Sequence, residues 1–122
     1  MAQLWIDFSN SRPHYEPGEV MTGTARWRSR ETVGIAELHL LWTTHGKGEP
    51  ETQVAAAVRF LNPQLDDERT FRIQLPQAPY SFSGRLFSLA WLARLTLNNG
   101  VPFHQEEIVI SPTRKEIKLE SL

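Results

Sequence analysis

Apolar and polar side chains alternate along most of this chain, and Pro, Gly, Asn and Asp interrupt the alternation at short intervals. A period of two puts successive side chains on opposite faces of an extended backbone, so the pattern selects strands over helices. Leu4, Ile6 and Phe8 share one face. Met21, Gly23, Ala25 and Trp27 alternate with Val20, Thr22, Thr24, Arg26 and Arg28. Within residues 35–43, Leu38, Leu40 and Trp42 fall together. Thr52, Val54, Ala56, Val58 and Phe60 oppose Gln53 and Arg59, and Phe71, Ile73 and Leu75 oppose Thr70, Arg72 and Gln74. A long segment aligns Phe87, Leu89, Trp91, Ala93, Leu95 and Leu97. Residues 103–110 follow a turn at Asn98-Asn99-Gly100, where Asn-Gly suits a tight hairpin with positive φ. Residues 86–97 are apolar enough for a buried helix, but the turn residues on both sides favour a strand.

About seven short strands at this spacing predict an all-β fold, a two-sheet antiparallel sandwich of immunoglobulin-like form. Neither sheet can bury its apolar face alone, so inward side chains of both form one core. Residues 1–112 are expected to make the sandwich, because Pro112 ends the last strand. Residues 113–122 form a charged tail. Its own alternation sets Ile117 and Leu119 against Glu116, Lys118 and Glu120, so it can add a strand or lie across the sheet.

Composition narrows the function classes. The chain has 122 residues, 13 basic and 14 acidic side chains and no cysteine. That is one domain, without thiolate chemistry or a thiolate metal site. A formal net charge of −1 opposes non-specific nucleic-acid binding, which rests on excess Lys and Arg. No apolar run reaches the roughly 20 residues that span a bilayer, and Asp7 interrupts the apolar start, so no leader is read there. A cytoplasmic protein without a membrane span is expected.

Several motifs then fall into a familiar order. Tyr15-Glu16-Pro17-Gly18-Glu19-Val20, with Gly23 and a strand through Trp27, resembles the opening strands of arrestin-like domains. Phe71-Arg72-Ile73-Gln74-Leu75-Pro76, then Pro79-Tyr80-Ser81-Phe82-Ser83-Gly84, is similar to a second arrestin signature, in which a Pro-Ser loop leads into a long core strand. Leu41-Trp42-Thr43-Thr44-His45-Gly46-Lys47-Gly48 looks like the equivalent segment of bacterial arrestin-like proteins, including the sporulation-control group. The resemblance spans about residues 4–110 and implies a single arrestin-type sandwich. It carries over neither the interdomain switch nor the regulatory tail of two-domain arrestins.

Each motif also has a local physical reading. Pro17-Gly18 fits the centre of a type II turn. Gly23 inside a strand signals a bulge or the close approach of a side chain such as a tryptophan. Pro76 and Pro79 end a strand and stiffen the crossover, and Tyr80 and Phe82 are expected to plug one end of the sandwich.

Catalytic patterns fail. Gly46-Lys47-Gly48 lacks the earlier glycine and the following Ser or Thr of a phosphate loop. His14, His39, His45 and His104 stand at no metal-ligand spacing, and no serine lies in a nucleophile elbow. No enzymatic activity, cofactor or metal is therefore expected. Binding to a protein partner is expected instead. The candidate contact residues are His45, Lys47 and Glu49 in one loop and Trp5 on an edge strand. Leu86, Leu92, Ile117 and Leu119 form a candidate self-association patch, with a homo-oligomer as its outcome. Arg26, Arg28 and Arg30 make a basic stripe that neighbouring carboxylates such as Glu31 or Glu37 can balance. The alternative is a ligand-binding sandwich that holds carbohydrate or lipid on exposed aromatics.

Overall fold

The computed structural model describes residues 2–100 and 103–119, of Leu119 the backbone only. Its strands are β1 (Gln3–Phe8), β2 (His14–Tyr15), β3 (Val20–Arg28), β4 (Ala36–Gly46), β5 (Thr52–Phe60), β6 (Asp66–Gln74), β7 (Phe82–Gly84), β8 (Phe87–Leu97), β9 (Phe103–Ile110) and β10 (Ile117–Leu119). The long strands are the ones that the alternation marks, and residues 87–97 are strand rather than helix. A smaller sheet runs β1-β3-β6, antiparallel throughout. A larger sheet runs β10-β7-β8-β4-β5, with β9 also paired to β8 and β2 to β9. The sandwich is not purely antiparallel, because β2–β9 and β10–β7 are short parallel pairs.

The core lies between the sheets. Ile6, Met21, Ala25, Trp27, Phe71 and Ile73 from the smaller sheet meet Leu38, Leu40, Trp91, Leu95 and Ile108 from the larger. Trp27 and Trp91 are fully buried, while Trp42 is half-buried against the core. Each buried indole donates to a loop carbonyl: Trp27 Nε1 to Gln64 O at 2.8 Å, and Trp91 Nε1 to Pro79 O at 2.9 Å. These bonds satisfy the one polar atom that each ring takes into the core.

Turns follow their chemistry. Gly18 has φ +78°, and the Glu19 N–H donates to Glu16 O at 3.1 Å, as the Pro17-Gly18 turn requires. The β8–β9 turn centres on Asn98 and Asn99, with φ 56° and 57°, rather than on Asn99 and Gly100. Gly100 N–H closes it on Leu97 O at 3.2 Å. Asn98 takes the first left-handed position because its side chain also binds the β3–β4 connection. Its Oδ1 accepts from Gly34 N at 2.8 Å and Ile35 N at 3.2 Å, and its Nδ2 donates to Thr32 O at 3.0 Å.

Three local expectations are corrected. Gly23 sits in an unbroken register, and the side chain that approaches it is Phe71, not a tryptophan. A Cβ there would lie 2.7 Å from the Phe71 ring and against the Asp7 carbonyl. In β5 the alternation breaks, because Leu40 pairs with Ala56 but Leu41 pairs with Val54. The extra residue is Ala55, so Ala56, Val58 and Phe60 face the core while Val54 turns outward, 52% exposed. Tyr80 does not plug the sandwich end; it is 40% exposed, and the side chain buried there is Ser81, whose Oγ accepts from Ile110 N at 3.0 Å.

Candidate interaction surface

One end of the larger sheet gathers most of the loop residues expected to contact a partner. β4 runs out to His45 and Gly46, which pair with Ser88 and Phe87 at the start of β8. The following loop is clipped at its base: Thr44 N–H donates to Glu51 O at 2.9 Å, and Glu51 N–H donates to Thr44 Oγ1 at 3.1 Å. Beyond that clip His45, Lys47 and Glu49 are all exposed. Gly46 has to be glycine, since a Cβ would come within 2.5 Å of both Phe87 Cβ and the Leu86 carbonyl.

Beside this loop the chain leaves large apolar groups in water. Leu86, in the turn between β7 and β8, is 70% exposed, and Phe87 is 54% exposed. Phe87 has the parity of the core residues but lies beyond Leu89, the first residue of that face which the core covers. Phe82 packs edge-on against it, with ring centroids 5.4 Å apart, and Ile117 pairs opposite Phe82 on β10. The result is an apolar step of Phe87, Phe82 and Ile117 next to a polar loop, with Leu86 exposed in the adjoining turn. Contiguous exposed apolar groups of this kind mark contact surfaces, whereas scattered ones do not.

The structure thus brings His45, Lys47, Glu49 and Leu86 to one end and places Ile117 on the adjoining edge. Leu92 is separate. It lies six residues along β8 from Leu86, a span of about 20 Å at strand rise, and is half-buried opposite Leu41. Leu86 and Leu92 therefore do not form one patch, and Leu86 precedes β8 rather than standing on its outer face. The Leu119 side chain lies outside the described residues. Parity alone predicts Phe87 in the core, and its exposure corrects that expectation. The adjacent pair Leu86-Phe87 carried a signal nonetheless, because consecutive strand residues cannot both face one core.

Trp5 belongs to the smaller sheet, on its edge strand β1. Arg26 lies over its ring, 4.5 Å from the centroid. With Gln3, Arg28, Asp66, Asp67 and Glu68 they line a shallow groove of about 470 Å³. The basic stripe is balanced here: Arg28 Nε stands 3.3 Å from Asp66 Oδ2, and Arg26 pairs across from Glu68. Glu37 instead serves Arg59, at 3.4 Å on the other sheet.

Below that groove an ordered carboxylate organises the β5–β6 connection. Asp67 accepts from Arg69 Nε and Nη2, both at 3.0 Å, and from the N–H groups of Gln64 and Glu68, both at 2.9 Å. Burial by itself would raise its pKa, but the Arg69 and backbone hydrogen bonds outweigh burial and hold the carboxyl below its ordinary range. Tyr15 shows the opposite balance. Burial, and secondarily the Glu19 charge, push its phenol up to about 12, and its buried Oη has no hydrogen-bond partner among the described residues.

A second groove, about 440 Å³, is lined by Asn10, Ser11, Arg12, His14, Glu19 and Arg114. Its centre is a latch for the tail: Arg114 Nη2 lies 3.2 Å from both Glu16 and Glu19, and His14 Nδ1 lies 3.0 Å from the Arg114 carbonyl. Two histidines pair with carboxylates, His104 with Glu106 at 3.4 Å and His39 with Glu37 at 3.7 Å, but neither pair lines either groove. No group of three or more metal-ligating side chains converges among the described residues. Among them, too, no helix is long and apolar enough to cross a membrane.

Among solved structures the fold has a counterpart. The sporulation control protein Spo0M from Bacillus subtilis superposes with a TM-score of 0.63 at 17% sequence identity, over 90% of this chain and 49% of that one. This chain therefore spans about half the length of Spo0M. The likeness is one of fold, a two-sheet β-sandwich. A β-glucosidase from Listeria innocua aligns more loosely, with a TM-score of 0.46 and 14% identity over 95% of this chain and 17% of that one. No protein-family model matches the chain, and no curated protein matches it.

Proposed function

We propose that this chain is a non-catalytic, arrestin-like regulatory module that binds a protein partner at the end of the larger sheet. The observation that carries the reading is the exposed pair Leu86 and Phe87 beside the clipped loop of His45, Lys47 and Glu49. Apolar groups at the centre and charged groups at the rim are the ordinary composition of a protein contact. The fold likeness to a sporulation control protein supports a regulatory role. Carbohydrate or lipid binding on exposed aromatics is less favoured. Trp5 and Phe103 already carry arginine guanidinium groups over their rings, at 4.5 and 4.8 Å, where a sugar would stack.

Covering Leu86 and Phe87 is worth roughly 1.5–3 kcal/mol each, so losing both weakens binding by tenfold or more. The test is affinity capture with the intact chain and with the double variant Leu86→Asp, Phe87→Ser, followed by calorimetry with the identified protein. A discrete protein that binds the wild type and is lost with the variant, at unchanged melting temperature, supports the reading. Equal binding to both chains overturns it.

A further inference from the structure

We propose that the protein partner meets this chain with an acidic segment, whose carboxylates lie across a row formed by Lys118, Ser83, Ser88 and His45. The proposal rests on the partner surface described above and names the chemistry which that surface takes beside its apolar pair.

Four neighbouring strands bring the row together in register. Lys118 on β10 pairs with Ser83 on β7, Ser83 with Ser88 on β8, and Ser88 with His45 on β4. Directly opposed residues share a face of the sheet. Phe82 and Leu89, next to Ser83 and Ser88, pack with the core, so the row lies on the solvent face. Lys118, Ser83 and His45 are exposed there, and Ser88 is half-buried. Three steps at sheet spacing make the row about 14 Å long, room for an extended segment of about four residues. It runs beside the apolar pair, because Phe87 precedes Ser88 and pairs with Gly46, the neighbour of His45.

Every member of the row donates hydrogen bonds: the ammonium three, each hydroxyl one, and the imidazole at least one in any tautomer. Among the described residues none of these four side chains has a hydrogen bond or an ion pair. The chain's own neighbouring carboxylates do not serve them. Glu51 lies opposite Thr44 across the loop clip and so falls on the other face from His45. Glu116 precedes Lys118 by two residues and makes no ion pair with it. Lys47 in the loop and Arg85 in the β7–β8 turn, both exposed, add positive charge at the same end. Carboxylates only accept, and they carry the opposite charge, so they match the row on both counts. A basic segment would set like charge against Lys118, Lys47 and Arg85.

The experiment is an NMR titration of the full nitrogen-15-labelled chain with capped tetraglutamate, and with capped tetraglutamine as the comparison. Tetraglutamate is expected to give saturable shifts at the amides of His45, Ser83, Ser88 and Lys118, and tetraglutamine none. Lys118→Glu weakens binding by about fivefold or more. The double variant Ser83→Ala, Ser88→Ala keeps every charge but removes two donors, and weakens it by about threefold or more. Arg72→Gln, a charge removed from the outer face of the smaller sheet, binds as wild type does. Absence of saturable shifts at the row overturns the proposal. So does an equal response to tetraglutamine, or binding that ignores both Lys118→Glu and the double serine variant. Tetraglutamate has no apolar side chain and reads the row alone, whereas capture with Leu86→Asp, Phe87→Ser reads the apolar pair, so either can fail without the other.

Discussion

The indole of Trp27 donates to the backbone carbonyl of Gln64 at 2.8 Å, and so ties the centre of the smaller sheet to the β5–β6 connection. The same connection is held from the other side by Asp67, which takes the Gln64 N–H. The two contacts make residues 61–67 a braced loop rather than a loose one. That brace stands at the opposite end of the sandwich from Leu86 and Phe87, so stability and the proposed contact are carried by different ends.

Trp27→Phe keeps an aromatic ring in the core but removes the donor and leaves a void, at a cost of about 2–4 kcal/mol. Asp67→Asn tests the other side of the brace. Because the folded carboxyl is held below its ordinary range, its contribution is present at neutral pH and is lost as pH falls through the folded value. Urea titrations from neutral to acid pH are expected to show the gap between wild type and Asp67→Asn closing in acid. A constant gap contradicts this reading.

Tyr15→Phe is expected to be neutral or stabilising at pH 7, by up to about 1 kcal/mol, because the buried Oη it removes has no partner among the described residues. The sign at high pH follows from the raised pKa of about 12. The unfolded phenol ionises first, so wild-type stability falls as pH rises above the ordinary tyrosine value. Thermal melts from neutral to alkaline pH are expected to show a shallower decline for the variant. A clear loss of stability at pH 7 would contradict the unsatisfied hydroxyl.

Asn98 separates backbone from side-chain effects. Asn98→Gly keeps the left-handed backbone but loses the contacts to Gly34, Ile35 and Thr32, at about 1–2 kcal/mol. Asn98→Ala loses the same contacts and adds left-handed strain of roughly 1–2 kcal/mol. The predicted order in denaturant midpoint is wild type, then glycine, then alanine. Equal midpoints for the two variants would show that the turn is not held in this conformation.

Gly23→Ala is expected to cost at least about 1–3 kcal/mol, because its methyl meets the Phe71 ring and the Asp7 carbonyl from both flanking strands. Pairing it with Phe71→Leu relieves one of the two clashes. A double-mutant cycle in chemical denaturation is expected to recover part of the loss. Full additivity would show that Phe71 does not fill the space above Gly23.

Much of this fold was legible in the sequence because strand parity is a strict code. Met21, Ala25 and Trp27, or Phe71, Ile73 and Leu75, could only face one core. The code fails where one extra residue enters. Ala55 has no side-chain signature of a bulge, and it reverses Val54 relative to Val58. Parity also fails at strand ends, since it gives a direction but not where the opposing sheet stops; Phe87 shares a face with Leu89 and yet lies in water. Asn98 shows a third limit. The turn is local and readable, but its choice of central residues is set by a partner loop more than 60 residues earlier, at Gly34. The loop of His45, Lys47 and Glu49 was readable as exposed, whereas its meeting with Leu86 depended on the β4–β8 register.

The partner surface is tested most directly by a photo-crosslinking residue placed at Leu86 in the intact chain inside its own cells. An identical residue placed at Arg72, on the outer face of the smaller sheet, is the comparison. The account predicts a discrete adduct with another protein from position 86, and none of that mass from position 72. No adduct at 86, or the same adduct from both positions, would contradict it.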